Sequence, residues 1–148
     1  MNQNNVIDLS VVIIANLTNL LLAVMFFFRA RGRPKTGNAV GWGAVILGIP
    51  LLSAAILSAI AGRPWWAYVL PGLLVLYDVA EFVLDYILKF DFRQSRWLGP
   101  YLGLYYIALM GMIGYAFAVG KPYGFFTLIT YFVNLAATAW SFSRVRHG

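Results

Sequence analysis

VIDLSVVIIANLTNLLLAVMFFF, residues Val6–Phe28, runs directly into RARGRPK, residues 29–35. The first stretch has the length and apolarity of one bilayer crossing, about 20 residues as a helix. The second puts four basic residues immediately after it, and short loops rich in Lys and Arg stay on the cytoplasmic side. Met1–Asn5 carries no basic residue. A cleaved signal peptide opens with a positive segment and has a shorter apolar core, so this stretch reads as a retained helix.

The same pattern recurs along the chain. Apolar stretches at Ala39–Ala61, Trp65–Lys89, Tyr101–Val119 and Tyr123–Phe142 bring the expected number of crossings to five. Turn formers separate them: Gly32, Pro34 and Gly37, then Gly62 and Pro64, then Gly99 and Pro100, then Gly120 and Pro122. The last connection is so short that the fourth and fifth helices should form an antiparallel hairpin. The expected fold class is therefore an all-α integral membrane protein, a compact bundle of five helices forming one polytopic domain over residues 1–148.

Composition demands the same solvent. Of 148 residues, 61% are hydrophobic and 11% charged, against about 45–50% and about 25% in soluble domains. Too few polar groups exist to cover a water-facing surface, and little chain remains for a separate soluble domain.

Charge placement gives an orientation. Arg29, Arg31, Arg33, Lys35, Lys89, Arg93, Arg96, Arg144 and Arg146 fall on one side of a five-helix path, and only Arg63 and Lys121 on the other. The expected topology has the N-terminus outside and the C-terminus in the cytoplasm, in the plasma (inner) membrane of a prokaryote. Trp42, Trp65, Trp66, Trp97 and Trp140 all lie near helix ends, at headgroup level. The net charge of +6 is thus a topology signal, and with no basic DNA- or RNA-binding motif no nucleic-acid partner is expected. The expected partners are the lipid bilayer and either a second copy of the chain or a membrane-complex subunit.

The third stretch carries the chemistry. LVLYDVAEFVLDYILKF, residues 74–90, holds Asp78, Glu81 and Asp85, three of the five acidic residues in the chain. On an α-helix Asp78 and Asp85 point within about 20° of each other, and Glu81 about 60° to one side. Lys89 continues the line. A carboxylate at mid-bilayer costs about 3 kcal/mol on insertion scales, so the stripe should face a bundle interior or a wet cavity. By depth, Asn16 and Asn19 of the first helix, Tyr131 and Asn134 of the fifth and Tyr105 of the fourth fall at the same level. Carboxylates ringed by amides and phenols suit a proton, a hard cation or an organic ammonium. The candidate binding set is therefore Asp78, Glu81, Asp85, Asn16, Asn19, Asn134, Tyr105 and Tyr131. A structural alternative is that Arg29 or Arg31 neutralises Asp85, or that Asp85 and Lys89 pair one turn apart.

The second helix shows small residues, Ala44, Gly48, Ala54, Ser58 and Gly62, suited to close packing within a subunit or between subunits. Gly111 and Gly114 do the same on the fourth. A homo-oligomer is expected on that basis. Pro50 and Pro71 interrupt their helices and each frees a carbonyl.

The chain has no cysteine, and its only histidine is His147. No haem, zinc or other cofactor site is expected from one chain. No nucleophile–histidine pair, phosphate loop or metal-binding histidine motif is present, so the reading leans away from an enzyme. The leading expectation is a protein that binds or transports a proton, cation or cationic small molecule. The alternatives are an accessory or assembly subunit of a larger membrane complex, and a lipid-modifying enzyme using Asp85, Asp91 and the basic residues from Arg29 to Lys35.

Overall fold

The computed structural model describes residues 3–88 and 95–146, with side chains up to residue 144. Lys89, Asp91, Arg93 and His147, named above, lie outside the described residues. Among the described residues there are five α-helices: α1 (Gln3–Ala30), α2 (Pro34–Ile60), α3 (Trp66–Phe82), α4 (Leu98–Val119) and α5 (Lys121–Arg146). A π-helical turn, Val83–Ile87, continues α3 without a break. All five, α3 taken together with this turn, are long and apolar enough to cross a membrane. The protein is an integral membrane helix bundle.

Several helices start earlier than the apolar stretches predict. α2 begins at Pro34 rather than Ala39, α4 at Leu98 rather than Tyr101, and α5 at Lys121 rather than Tyr123. Pro34, Pro100 and Pro122 all fall in a first turn, where a missing N–H costs nothing because it has no intrahelical acceptor. These prolines open helices rather than separating them. Gly37 is likewise not a turn residue. It is buried in α2, where an added Cβ would come within 3.0 Å of the Met25 carbonyl oxygen and 3.1 Å of Arg29 Cγ. The real stops are Gly32 and Gly62, at φ of 70° and 65°. At each, the glycine N–H and the next N–H return to the last turn: Gly32 to Arg29 O and Arg33 to Phe28 O, Gly62 to Ala59 O and Arg63 to Ser58 O. This paired closure needs a left-handed residue, which glycine supplies without strain.

Each helix packs on the next in sequence, and α5 closes the ring by packing on α1. The helix directions make α1 and α5 parallel. α1 also reaches across to α4, and 61% of its most apolar segment is buried against 33% in every other helix, so α1 is the central helix. The α4–α5 hairpin turns on Gly120 alone, and it is so close that a Cβ at Gly124 would overlap the Phe117 ring.

The distribution of side chains fits a lipid solvent. Asn16, Asn19, Ser58, Asp78, Glu81, Thr127, Thr130, Asn134 and Thr138 are all buried, while Ile13, Ile46, Ile49, Ile60, Ile107, Met110 and Ile129 are exposed. Polar groups point inward because lipid offers them no partner. On α2, Gly41, Ala44, Gly48, Leu51, Ala54, Ala55 and Ser58 form the buried face, so its small residues serve packing within the chain. Gly62 lies past the helix end in the turn.

Candidate functional site

The acidic residues of α3 do not stay in one stripe. Asp78 faces α2, where its Oδ2 would lie 3.2 Å from a Cβ at Gly48. The absence of a side chain at Gly48 is what lets the carboxyl sit there. Asp78 is only 4% exposed, and its Oδ2 has no hydrogen-bond partner among the described residues.

Glu81 and Asp85 turn to α1 and α4. Arg29, at the end of α1, donates from Nη2 to Asp85 Oδ2 at 2.9 Å and to Asn38 Oδ1 of α2 at 3.0 Å. Its Nη1 lies 3.8 Å from Glu81 Oε1. The phenols of Tyr77 and Tyr101 both donate to Glu81 Oε2, Tyr77 from 3.0 Å, and the two hydroxyls are 3.1 Å apart. Tyr86 donates to the Asn38 carbonyl at 2.7 Å. Asp85 sits inside the π-helical turn, whose wider winding shifts later side chains around the axis relative to an α-helix. Of the structural alternatives that the spacing offers for Asp85, neutralisation by Arg29 is the arrangement seen; pairing with Lys89 lies outside the described residues.

Asn16 and Asn19 are not part of this cluster. They form a neutral seam with α5. Asn16 Nδ2 donates to Thr127 Oγ1 at 2.9 Å and to its own Val12 carbonyl at 2.8 Å, and Thr130 Oγ1 donates to Asn16 Oδ1 at 2.7 Å. Asn19 Nδ2 donates to Thr130 Oγ1 at 3.1 Å. Further along, Thr138 donates to the Asn134 carbonyl at 2.8 Å and its Oγ1 lies 3.1 Å from the Tyr105 hydroxyl. Tyr105 also packs edge-on against Tyr77, 5.3 Å between ring centres, which joins this second group to the Glu81 cluster through an aromatic contact. Tyr131 is buried and packs edge-on against Phe132, without a hydrogen bond to a carboxylate among the described residues. Tyr101 and Tyr105 line a narrow cleft with Phe26, Leu102, Thr138 and Phe142.

Two features escape a reading by composition and depth. Tyr77 lies one turn before Glu81 on α3, a spacing at which side chains on a helix meet. A second ion pair stands at the opposite end of the bundle, where Arg63 Nη2 meets Asp8 Oδ1 at 2.7 Å. In the topology Arg63 is only a minority charge, although Asp8 is the acidic residue at the matching end of α1.

No family model matches the chain, and neither the curated proteins nor the solved structures include one measurably similar to it.

Proposed function

We propose that this membrane protein binds and carries a proton, or a small cation in its place, on Asp78, with Glu81 and Asp85 as the relay toward the Arg29 end of the bundle. The observation that carries the reading is Asp78 itself: buried, with an oxygen that receives no donor. An ionised carboxylate in such a place has no donor at Oδ2 to offset its burial, whereas one that has taken up a proton or a monovalent cation is neutral. Asp78 and Glu81 are one turn apart, so charge passed between them has little distance to cover. The charge distribution supports a cytoplasmic position for the Arg29 end.

Two other readings lose support. A phosphate-holding role for Arg29 competes with its contacts to Asp85 and Asn38. An assembly role for Asp85 is unnecessary when Arg29 already neutralises it.

The test is Asp78→Asn in reconstituted vesicles. The variant keeps the shape and removes the ionisable group. Proton uptake driven by an imposed gradient should be lost, while the melting temperature in detergent holds or rises. Unchanged uptake, or a loss of about 3–5 kcal/mol as expected for a broken buried pair, rejects the reading.

A further inference from the structure

The ion pair between Asp8 and Arg63 is a four-way junction. Asp8 of α1 receives Arg63 Nη2 at 2.7 Å and the Tyr115 hydroxyl of α4 at 2.6 Å on the same oxygen, Oδ1. Arg63 Nη1 also lies 3.4 Å from Ser58 Oγ of α2. The Trp66 ring, in the first turn of α3, packs edge-on against Tyr115 at 5.4 Å. Four of the five helices thus meet around one carboxylate.

Arg63 behaves unusually for its place. An arginine in a turn beside a helix end extends its head to water and headgroups. Here the guanidinium is held by Asp8 instead, and the Arg63 side chain is 9% exposed, with that of Asp8 at 15%. A buried ion pair adds little net stability over apolar side chains of the same volume, and its best-attested uses are fixing register and switching. The pair also stands at one end of the packed, buried face of α2. Ser58, Ala55, Ala54, Leu51 and Gly48 are successive residues of the buried face of α2. That face leads from Arg63 at Ser58 to Asp78 at Gly48, about 15 Å along the helix.

We propose that the Asp8–Arg63–Tyr115 clasp is the closure on the access path from that end of the bundle to Asp78, opening when Arg63 leaves Asp8. This rests on Asp78 being the carrying group. The Arg29 cluster stands across the other end, so Asp78 lies between two arginine–carboxylate pairs. A carrier that releases its charge on both sides needs separate barriers of this kind.

The chain has no cysteine, which makes thiol labelling clean. Ala54→Cys puts a small reporter on the buried face one turn inward of Ser58, and Ala61→Cys, in the exposed turn, identifies the Arg63 face of the reconstituted vesicle. A charged, membrane-impermeant thiol reagent should modify Ala54→Cys slowly in an otherwise unaltered chain. Adding Arg63→Gln should speed modification by about tenfold or more, from the Arg63 face only. Tyr115→Phe keeps the ion pair and removes one donor, and should give a smaller acceleration, which serves if Arg63→Gln does not fold. Equal rates in the altered and unaltered folded proteins overturn the closure. Proton uptake measured in the same vesicles keeps the two ideas apart. Faster labelling with uptake indifferent to Asp78→Asn overturns the carrying role alone, and unchanged labelling with Asp78-dependent uptake overturns the closure alone.

Discussion

Asp78 and Asp85 are the same residue type on the same helix, seven positions apart, and their surroundings are opposite. Asp85 meets a guanidinium at 2.9 Å, which is itself held by Asn38. Asp78 meets Gly48 of α2, with Oδ2 unpartnered among the described residues. The first is the arrangement by which a bundle tolerates a charge. The second leaves a carboxylate oxygen buried without a donor, the feature on which the proposed carrying role rests. Periodicity alone makes the two equivalent; what separates them is which neighbour each faces. Asp78 looks at α2, where the close approach requires glycine, while the π-helical turn redirects Asp85 toward α1.

The largest effect should come from making Asp85 resemble Asp78. Arg29→Met removes the cation and keeps much of the stem's packing. It leaves Glu81 and Asp85 buried without their guanidinium and should cost about 3–5 kcal/mol, read as a fall in the denaturation midpoint in detergent. Adding Asp85→Asn to that variant should restore part of the loss. A single variant as stable as the parent would erase the contrast between the two aspartates.

A smaller effect should follow from crowding Asp78. Gly48→Leu drives a side chain into the space held by the carboxyl and should cost about 1–3 kcal/mol through overpacking. Leucine accepted there without loss would mean that Asp78 does not rest against α2, and the difference in environment would have to be redrawn.

The smallest effect belongs to the neutral seam, which contains no charge to strand. Asn16→Leu removes the amide from Thr127 and Thr130, whose hydroxyls can turn to backbone carbonyls in their own helix; Thr130 Oγ1 lies only 3.0 Å from the Thr127 carbonyl oxygen. The expected cost is about 0.6–2 kcal/mol, with proton uptake unaffected. A larger stability loss than that of Arg29→Met would show that the amide seam, rather than the ion pair, holds α1 in place.

The sequence was most informative where one physical requirement acts along the whole chain. Lipid cannot satisfy backbone or side-chain polar groups, so runs of about 20 apolar residues must be helices, and five such runs give five helices. The same requirement made the inward burial of Asp78, Glu81, Asn16 and Asn134 legible before any neighbour was known. Helix ends were less legible, because Pro34, Pro100 and Pro122 serve as well inside a first turn as between helices. Gly37 shows the same ambiguity, since glycine permits both a turn and a close helix contact.

The partners of the buried groups had to come from the tertiary structure. Depth placed Asn16, Asn19 and Asn134 at the level of the carboxylates, but depth is one coordinate and leaves the angle around the bundle open. That angle was decided by the order in which the helices close their ring. With α5 beside α1, the asparagines of α1 meet the threonines of α5; with α3 between α2 and α4, Asp78 meets Gly48 and Glu81 meets Tyr101. The Asp8–Arg63 pair was hidden for the same reason, its members being 55 positions apart in sequence. Hydropathy is a property of each segment by itself and can be read along the chain. A salt bridge or an unpartnered oxygen is a property of two segments at once, and exists only when packing has chosen which faces meet.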